Sequence, residues 1–186
     1  MASKVDLSEF SNNWYSKGRG KLVVALWFCV NALYFNSYLL PVSSIKRNIL
    51  RLFGAKIGSR VIIKPKVSIK YPWKLEIGSN SWIGENVWID NLDSVKIGDN
   101  CCLSQGALLL CGNHDYKKPT FDLIVNPITL EDGAWVGARA TVVQGVVMKS
   151  HSILAVNSVA TSDLESYSIY QGNPAVKIRG REISES

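Results

Sequence analysis

The sequence predicts an all-β solenoid, short parallel strands wound into a triangular coil, and three observations carry that prediction. The first is a six-residue period. Aliphatic side chains stand at Ile77, Ile83 and Ile89, then, after a two-residue slip, at Ile97, Leu103 and Leu109. They resume at Leu130, Val136 and Val142 and close with Met148, Leu154 and Ala160. The second is a small or turn-forming residue directly after most of these, as at Gly78, Gly84, Asp90, Gly98, Ser104, Gly137 and Ala155. The third is another small or apolar residue four places on, as at Ser81, Val87, Cys101, Ala107, Ala134, Ala140, Val146, Ser152 and Ser158. A helix repeats near 3.6 residues and a simple strand at two, so neither gives a period of six. Three six-residue faces make one turn of a prism. Stacked turns place aliphatic on aliphatic and build the core as a column.

The elements follow in chain order. Residues 1–54 form an arm and a helical cap. Residues 1–20 are polar, with Trp14, Gly18 and Gly20, and read as an extended arm. The stretch 22–40 is strongly apolar, ends at Pro41, and has about the length of a bilayer-spanning helix. Its uninterrupted run is only Leu22–Val30, because Asn31, Asn36 and Ser37 break the remainder, and no cleavage-site pattern marks a signal peptide. It reads first as a cap on the open end of the coil or on a neighbouring subunit, then as a peripheral membrane contact, and last as a true span. A second helix starts at Ser43 or Ser44 as N-cap and stops at Gly54. Ile45, Ile49, Leu52 and Phe53 form its apolar stripe, with Lys46, Arg47 and Arg51 opposite.

The coil domain occupies 55–175. Its repeat begins loosely at Ile57, Ile63 and Ile69 and pauses at Tyr71-Pro72-Trp73. Between Leu109 and Leu130 the period is lost, so a loop over 111–128 leaves the prism. Long loops on rigid repeat scaffolds are where function tends to sit. Residues 176–186 read as a basic C-terminal tail.

Composition narrows the function. The 186 residues are 47% hydrophobic, enough for one core without staples. The net charge of +6 is spread along the chain, which fits a small anionic ligand or an acidic membrane surface. No nucleic-acid motif is present. Cys101 and Cys102 are adjacent on one strand, alternating in and out, and no C-x-x-C pair exists. The four cysteines therefore read as small buried hydrophobes in a reducing compartment, not as disulfides or zinc ligands.

Only two histidines exist. His151 stands at a corner of a regular repeat and reads as an exposed surface residue. His114 stands where a strand hands over to the long loop, between Asn113 and Asp115. A structural role stays open there. The functional reading is a general base, since imidazole titrates near neutral pH and can take a proton from an attacking hydroxyl.

The hexapeptide pattern, Gly112-Asn113-His114-Asp115, Trp135-Val136-Gly137-Ala138 and Gly172-Asn173-Pro174-Ala175 together resemble the hexapeptide-repeat O-acetyltransferases. Phe53-Gly54-Ala55-Lys56-Ile57-Gly58, Ile69-Lys70-Tyr71-Pro72-Trp73, Trp88-Ile89-Asp90-Asn91-Leu92 and Ser104-Gln105-Gly106-Ala107 are similar to the colanic acid biosynthesis type within that group. The resemblance covers nearly the whole chain. It implies a left-handed parallel β-helix, a homotrimer, and acetyl-CoA as co-substrate, with no metal and no nucleic acid. It implies a cytoplasmic enzyme, at the inner face of the membrane if 22–40 touches lipid.

On that resemblance His114 deprotonates a sugar hydroxyl in polysaccharide biosynthesis, and the hydroxyl attacks the thioester directly. No G-x-S-x-G elbow is present. Asn86 and Asn91, on the preceding turn, are candidates for an oxyanion donor or acceptor contact; Asp90 is a candidate to hydrogen-bond the acceptor sugar or the base, and Asn113 and Asp115 are further candidates for holding the acceptor. Trp135, Gly137, Ala138, Ala155, Val156 and Thr161 are the candidate acetyl-CoA contacts, with Lys177 and Arg179 placed for its phosphates. Ser162 departs from the family, where a basic residue often stands, which shifts phosphate contact towards the C-terminal arginines. Three alternatives stay open: a γ-type carbonic anhydrase, which needs three zinc histidines per site; a non-catalytic scaffold; and an acetyltransferase for a different small acceptor.

Overall fold

In the computed structural model, which describes residues 4–184, the six-residue period becomes three flat faces stacked along one axis. Face A carries Lys56–Ile57, Leu75–Ile77, Val95–Ile97, Ile128–Leu130 and Val147–Met148. Face B runs from Ile62–Ile63 through Trp82–Ile83, Cys102–Leu103, Trp135–Val136 and Ile153–Leu154 to Ser168–Gly172. Face C carries Ser68–Ile69, Trp88–Asp90, Leu108–Leu110, Thr141–Val143 and Val159–Ala160.

The register is the predicted one, like on like. Ile57 pairs with Ile77, Ile77 with Ile97, Ile97 with Leu130 and Leu130 with Met148. The same ladder runs Ile63, Ile83, Leu103, Val136, Leu154 on face B and Ile69, Ile89, Leu109, Val142, Ala160 on face C. All are buried. Between its ends the column needs no helix, because each backbone group bonds the coil above or below.

Corners A/B and B/C are tight, and their third residue takes the left-handed conformation, as at Asn80, Asn86, Asn100, Arg139, His151 and Asn157. Asn tolerates it better than most residues. Corner C/A is the wide one. The chain uses eight residues from Ile69 to Ile77 and again from Ile89 to Ile97, and the long insertion leaves at this corner of the next coil. That insertion is a β-hairpin, Gly112–His114 antiparallel to Leu123–Val125.

The N-terminal cap departs from expectation in two ways. Helix α1 spans Lys21–Val30 and continues as one π-helical segment over Asn31–Phe35, so it ends before Leu40. Among the described residues no helix is long and apolar enough to cross a membrane.

Helix α2, Ser43–Leu52, splits the predicted stripe: Ile49 and Phe53 pack on the core, Ile45 and Leu52 face outward, and Lys46 from the basic side is buried with Leu50. The first coil is an edge, and its carbonyl groups need donors. Lys46 Nζ donates to Lys64 O at 2.8 Å, Arg47 Nη1 to Val61 O at 2.7 Å, and Arg51 Nη2 to Ile57 O at 2.8 Å. Ser43 is no N-cap. Its hydroxyl accepts from Ile63 N and donates to Ile63 O. On face C, Trp27 Nε1 donates to Ile69 O and Asn31 Oδ1 accepts from Ile69 N. Gly54 does stop α2, in the left-handed conformation at φ 94°.

At the far end the first part of the basic tail is a strand. Ala175–Gly180 folds back antiparallel on Ser168–Gly172 and covers the edge of face B. Cys101 and Cys111 are buried, but Cys29 is exposed on α1, against the reading of all four as buried.

Candidate active site

His114 ends the first strand of the hairpin, opposite Leu123. Its Nδ1 lies 2.9 Å from Phe121 O. A carbonyl oxygen only accepts, so Nδ1 carries the hydrogen and Nε2 keeps the free lone pair. Phe121 holds a left-handed backbone at φ 51°, strained for a bulky residue, and it contributes the ring as well as the carbonyl. The two rings stack with centroids 4.4 Å apart and planes 8° apart.

The N-terminal arm completes the setting. Phe10 lies 5.7 Å from the His114 ring, and Asp6 N donates to Pro119 O at the hairpin tip. The arm then descends corner C/A, where Tyr15 OH and Lys74 Nζ both donate to Leu92 O and Trp73 Nε1 donates to Lys17 O. Asn113 Oδ1 accepts from His114 N and Asp115 Oδ1 accepts from Lys117 N, so both flanking side chains hold the hairpin's backbone.

Asp90 is buried on the same corner with one carboxylate oxygen 2.8 Å from Lys70 Nζ. The Lys70 ammonium therefore neutralises the buried Oδ1 of Asp90 as an ion pair. The pair opens into a cavity of about 360 Å³ between α1 and face C, walled by Trp27, Phe28, Tyr71 and Trp88. Burial, and after it the Asp90 charge, holds the Tyr71 phenol above its ordinary range.

Asn91 is spent: its amide donates to Tyr71 O and accepts from Tyr71 N, both buried, which removes it from the oxyanion candidates. Asn86 is in the same coil, one turn before that of His114, but on corner B/C, across face C from it.

Four of the cofactor candidates gather on that other corner. Gly137 and Ala138 stack under Ala155 and Val156 at B/C, and Trp135 projects from face B with its Nε1 donating to Ser104 Oγ. Gly137 has a reason of its own, since a Cβ there would lie 2.7 Å from Leu154 O and from the Ala155 carbonyl carbon. Thr161 is exposed on corner C/A. Lys177 is in an ion pair with Glu165 at 2.7 Å, and Arg179 is exposed on the last strand. A larger hollow of about 690 Å³ runs along face A between Lys56, Glu76, Lys96 and Glu131, and His114 lies outside it.

His151 is half-buried and not the exposed corner residue expected, with its ring stacked on Tyr167 at 4.7 Å and Nδ1 2.7 Å from Ser150 Oγ. Burial pushes the Cys111 thiol up to about 12 and the Cys101 thiol up to about 11, so neither is a thiolate at neutral pH. Phe121, Phe10 and Lys70 are the site residues that sequence reasoning missed. Nothing in a sequence marks the carbonyl that will meet a histidine seven positions away. Together these groups can hold one imidazole in one tautomer and take a proton at Nε2.

The sequence profile of the hexapeptide repeat of succinyl-transferase matches residues 74–111. The chain is 34% identical to the putative colanic acid biosynthesis acetyltransferase WcaF of Escherichia coli (strain K12), over 97% of this chain and 99% of that protein. It is 23% identical to the galactoside O-acetyltransferase of the same organism, over 72% of this chain and 68% of that one. The hexapeptide-repeat containing acetyltransferase VCA0836 from Vibrio cholerae O1 biovar eltor, solved in complex with acetyl coenzyme A, superposes with a TM-score of 0.78. At 22% identity, covering 88% of this chain and 89% of that one, this is a likeness of fold.

Proposed function

The chain belongs to the hexapeptide-repeat acyltransferases and is an acetyl-CoA-dependent acyltransferase; from that premise we propose that it acetylates a sugar hydroxyl in polysaccharide biosynthesis, with His114 as general base. The observation that carries the reading is the fixed tautomer of His114, whose Nδ1 hydrogen is held by Phe121 O at 2.9 Å. Nε2 takes the proton as the acceptor oxygen attacks the thioester carbon. The tetrahedral intermediate then collapses, the carbon–sulfur bond breaks, and the departing thiolate takes the proton back from the imidazolium to give free CoA. No acyl-enzyme forms. Asp90, ion-paired with Lys70 and lining the cavity beside α1, accepts a hydrogen bond from the acceptor.

A homotrimer belongs to the same proposal. One chain keeps His114 on corner C/A and four of the acetyl-CoA candidates, Gly137, Ala138, Ala155 and Val156, on corner B/C, a full face apart. A neighbouring prism can bring its B/C corner to this C/A corner. The outward column of face B, with Ile62, Trp82, Cys102, Trp135 and Ile153, is apolar enough for such a contact, whereas face A shows Lys56, Glu76 and Lys96 to water. A cytoplasmic location follows from the supply of acetyl-CoA and fits four free cysteines.

The test is release of CoA thiol from acetyl-CoA with fucosyl and galactosyl acceptors. Acceptor-dependent release by wild type, reduced about 100-fold or more in His114→Ala with unchanged folding, is the expected result. Equal turnover in the variant overturns His114 as the base. No release with any acceptor, and no acetyl-CoA binding by calorimetry, returns the chain to the scaffold alternative.

A further inference from the structure

We propose that the helical end of the prism is a docking surface for an anionic lipid bilayer, which it meets flat and without spanning. The first observation is an apolar face with no partner in the chain. Helix α1 buries Trp27 against the coil and turns Leu22, Leu26, Phe28 and Leu33 outward, with Leu22 at 87% exposure and Phe28 at 73%. Helix α2 extends the same end with Ile45 and with Leu52 at 84%. Contiguous exposed apolar surface of this kind marks an interaction site.

Charge supplies the second observation and chooses the partner. From Phe10 to Leu75 the chain has twelve Lys and Arg and no Asp or Glu, so this end alone exceeds the net charge of +6 and the rest of the chain is net acidic. Lys46, Arg47 and Arg51 point inward to the first coil's carbonyls. Lys17, Arg19, Lys21, Arg60 and Lys64 are exposed. Arg19 shares a groove with Val23, Leu26 and Leu52, which puts a cation at the rim of the apolar face. An apolar face with a cationic rim is the chemistry of an interfacial helix on acidic headgroups. A second copy docked end to end would instead bring like charges together. A neighbour on face B lies along the side of the prism, away from this surface. The distinction between lying on and spanning the bilayer is set by length, since no described helix is long enough to cross.

Co-sedimentation with vesicles of phosphatidylcholine alone, and of phosphatidylcholine mixed with phosphatidylglycerol, tests the proposal on the full chain without acetyl-CoA or acceptor. It therefore stands or falls apart from the acyl-transfer reading. Wild type is expected to bind the anionic vesicles at least about tenfold more tightly than the neutral ones. Leu26→Glu with Leu52→Glu, at two exposed positions, weakens that binding about tenfold or more, and Arg19→Glu with Lys21→Glu does the same. Wild type that stays in the supernatant with anionic vesicles overturns the proposal. So does binding that survives both double variants. A fall in assembled mass in Leu26→Glu/Leu52→Glu without vesicles, read by light scattering, assigns the face to another copy of the chain and overturns it too.

Discussion

The imidazole of His114 is fixed from two directions, by the Phe121 carbonyl in the plane of the ring and by the Phe121 ring against its face, with the Phe10 ring 5.7 Å off. A base that must accept a proton at Nε2 gains from both, since one sets the tautomer and the other the rotation. Phe121→Ala keeps the carbonyl and removes the stack. We expect kcat to fall about tenfold while KM for acetyl-CoA changes less than about twofold, as supporting residues typically behave. Steady-state kinetics with both substrates varied checks this, and a selective rise in KM would instead place Phe121 on the cofactor. Asn91 shows the opposite case, a polar residue beside the site whose amide is consumed by the Tyr71 backbone. Sequence could flag both residues as candidates and could not separate them, because hydrogen-bond partners twenty positions apart are a matter of coil stacking.

Among elements, α2 carries the clearest lesson. A helical wheel puts its apolar residues together and suggests that they face the core, yet the coil end it covers is a rim of unpaired backbone carbonyls. Cations with long stems satisfy those carbonyls and aliphatic residues do not. Burial lowers the Lys46 amine to about 8 from its ordinary 10.5. The unfolded chain therefore binds more protons than the folded one between those values, and this lysine's contribution to stability rises as pH rises through them. It is fully present above the unfolded value and is lost as pH falls through about 8. Chemical denaturation of wild type and Lys46→Met at a series of pH values should show their stability difference moving in favour of wild type from neutral pH towards pH 10. A pH-independent difference would mean that the amine titrates alike in both states.

For the whole molecule, the proposed trimer carries its own prediction, that activity depends on assembly because Trp135, Gly137, Ala138, Ala155 and Val156 lie a face away from His114. Trp82 stands on the outward column of face B and is 58% exposed in the single chain. Trp82→Glu is expected to reduce the assembled mass to that of one 20.6 kDa chain and to lower kcat/KM about 100-fold or more, since a charge at an interface centre is costly. Light scattering coupled to gel filtration, with the thiol-release assay on the same fractions, checks both. Full activity in a monomeric variant would place the complete site within one chain. The sequence by itself determined the solenoid, its register, the insertion at 111–128 and the histidine at its base, because a strict period forces each inward side chain onto its counterpart one coil away. Tertiary structure alone decided which corner each candidate occupies, which carbonyl holds His114, and which face of α2 turns inward. Those outcomes depend on what lies across a coil or at an unpaired edge, and no local pattern of residues records that.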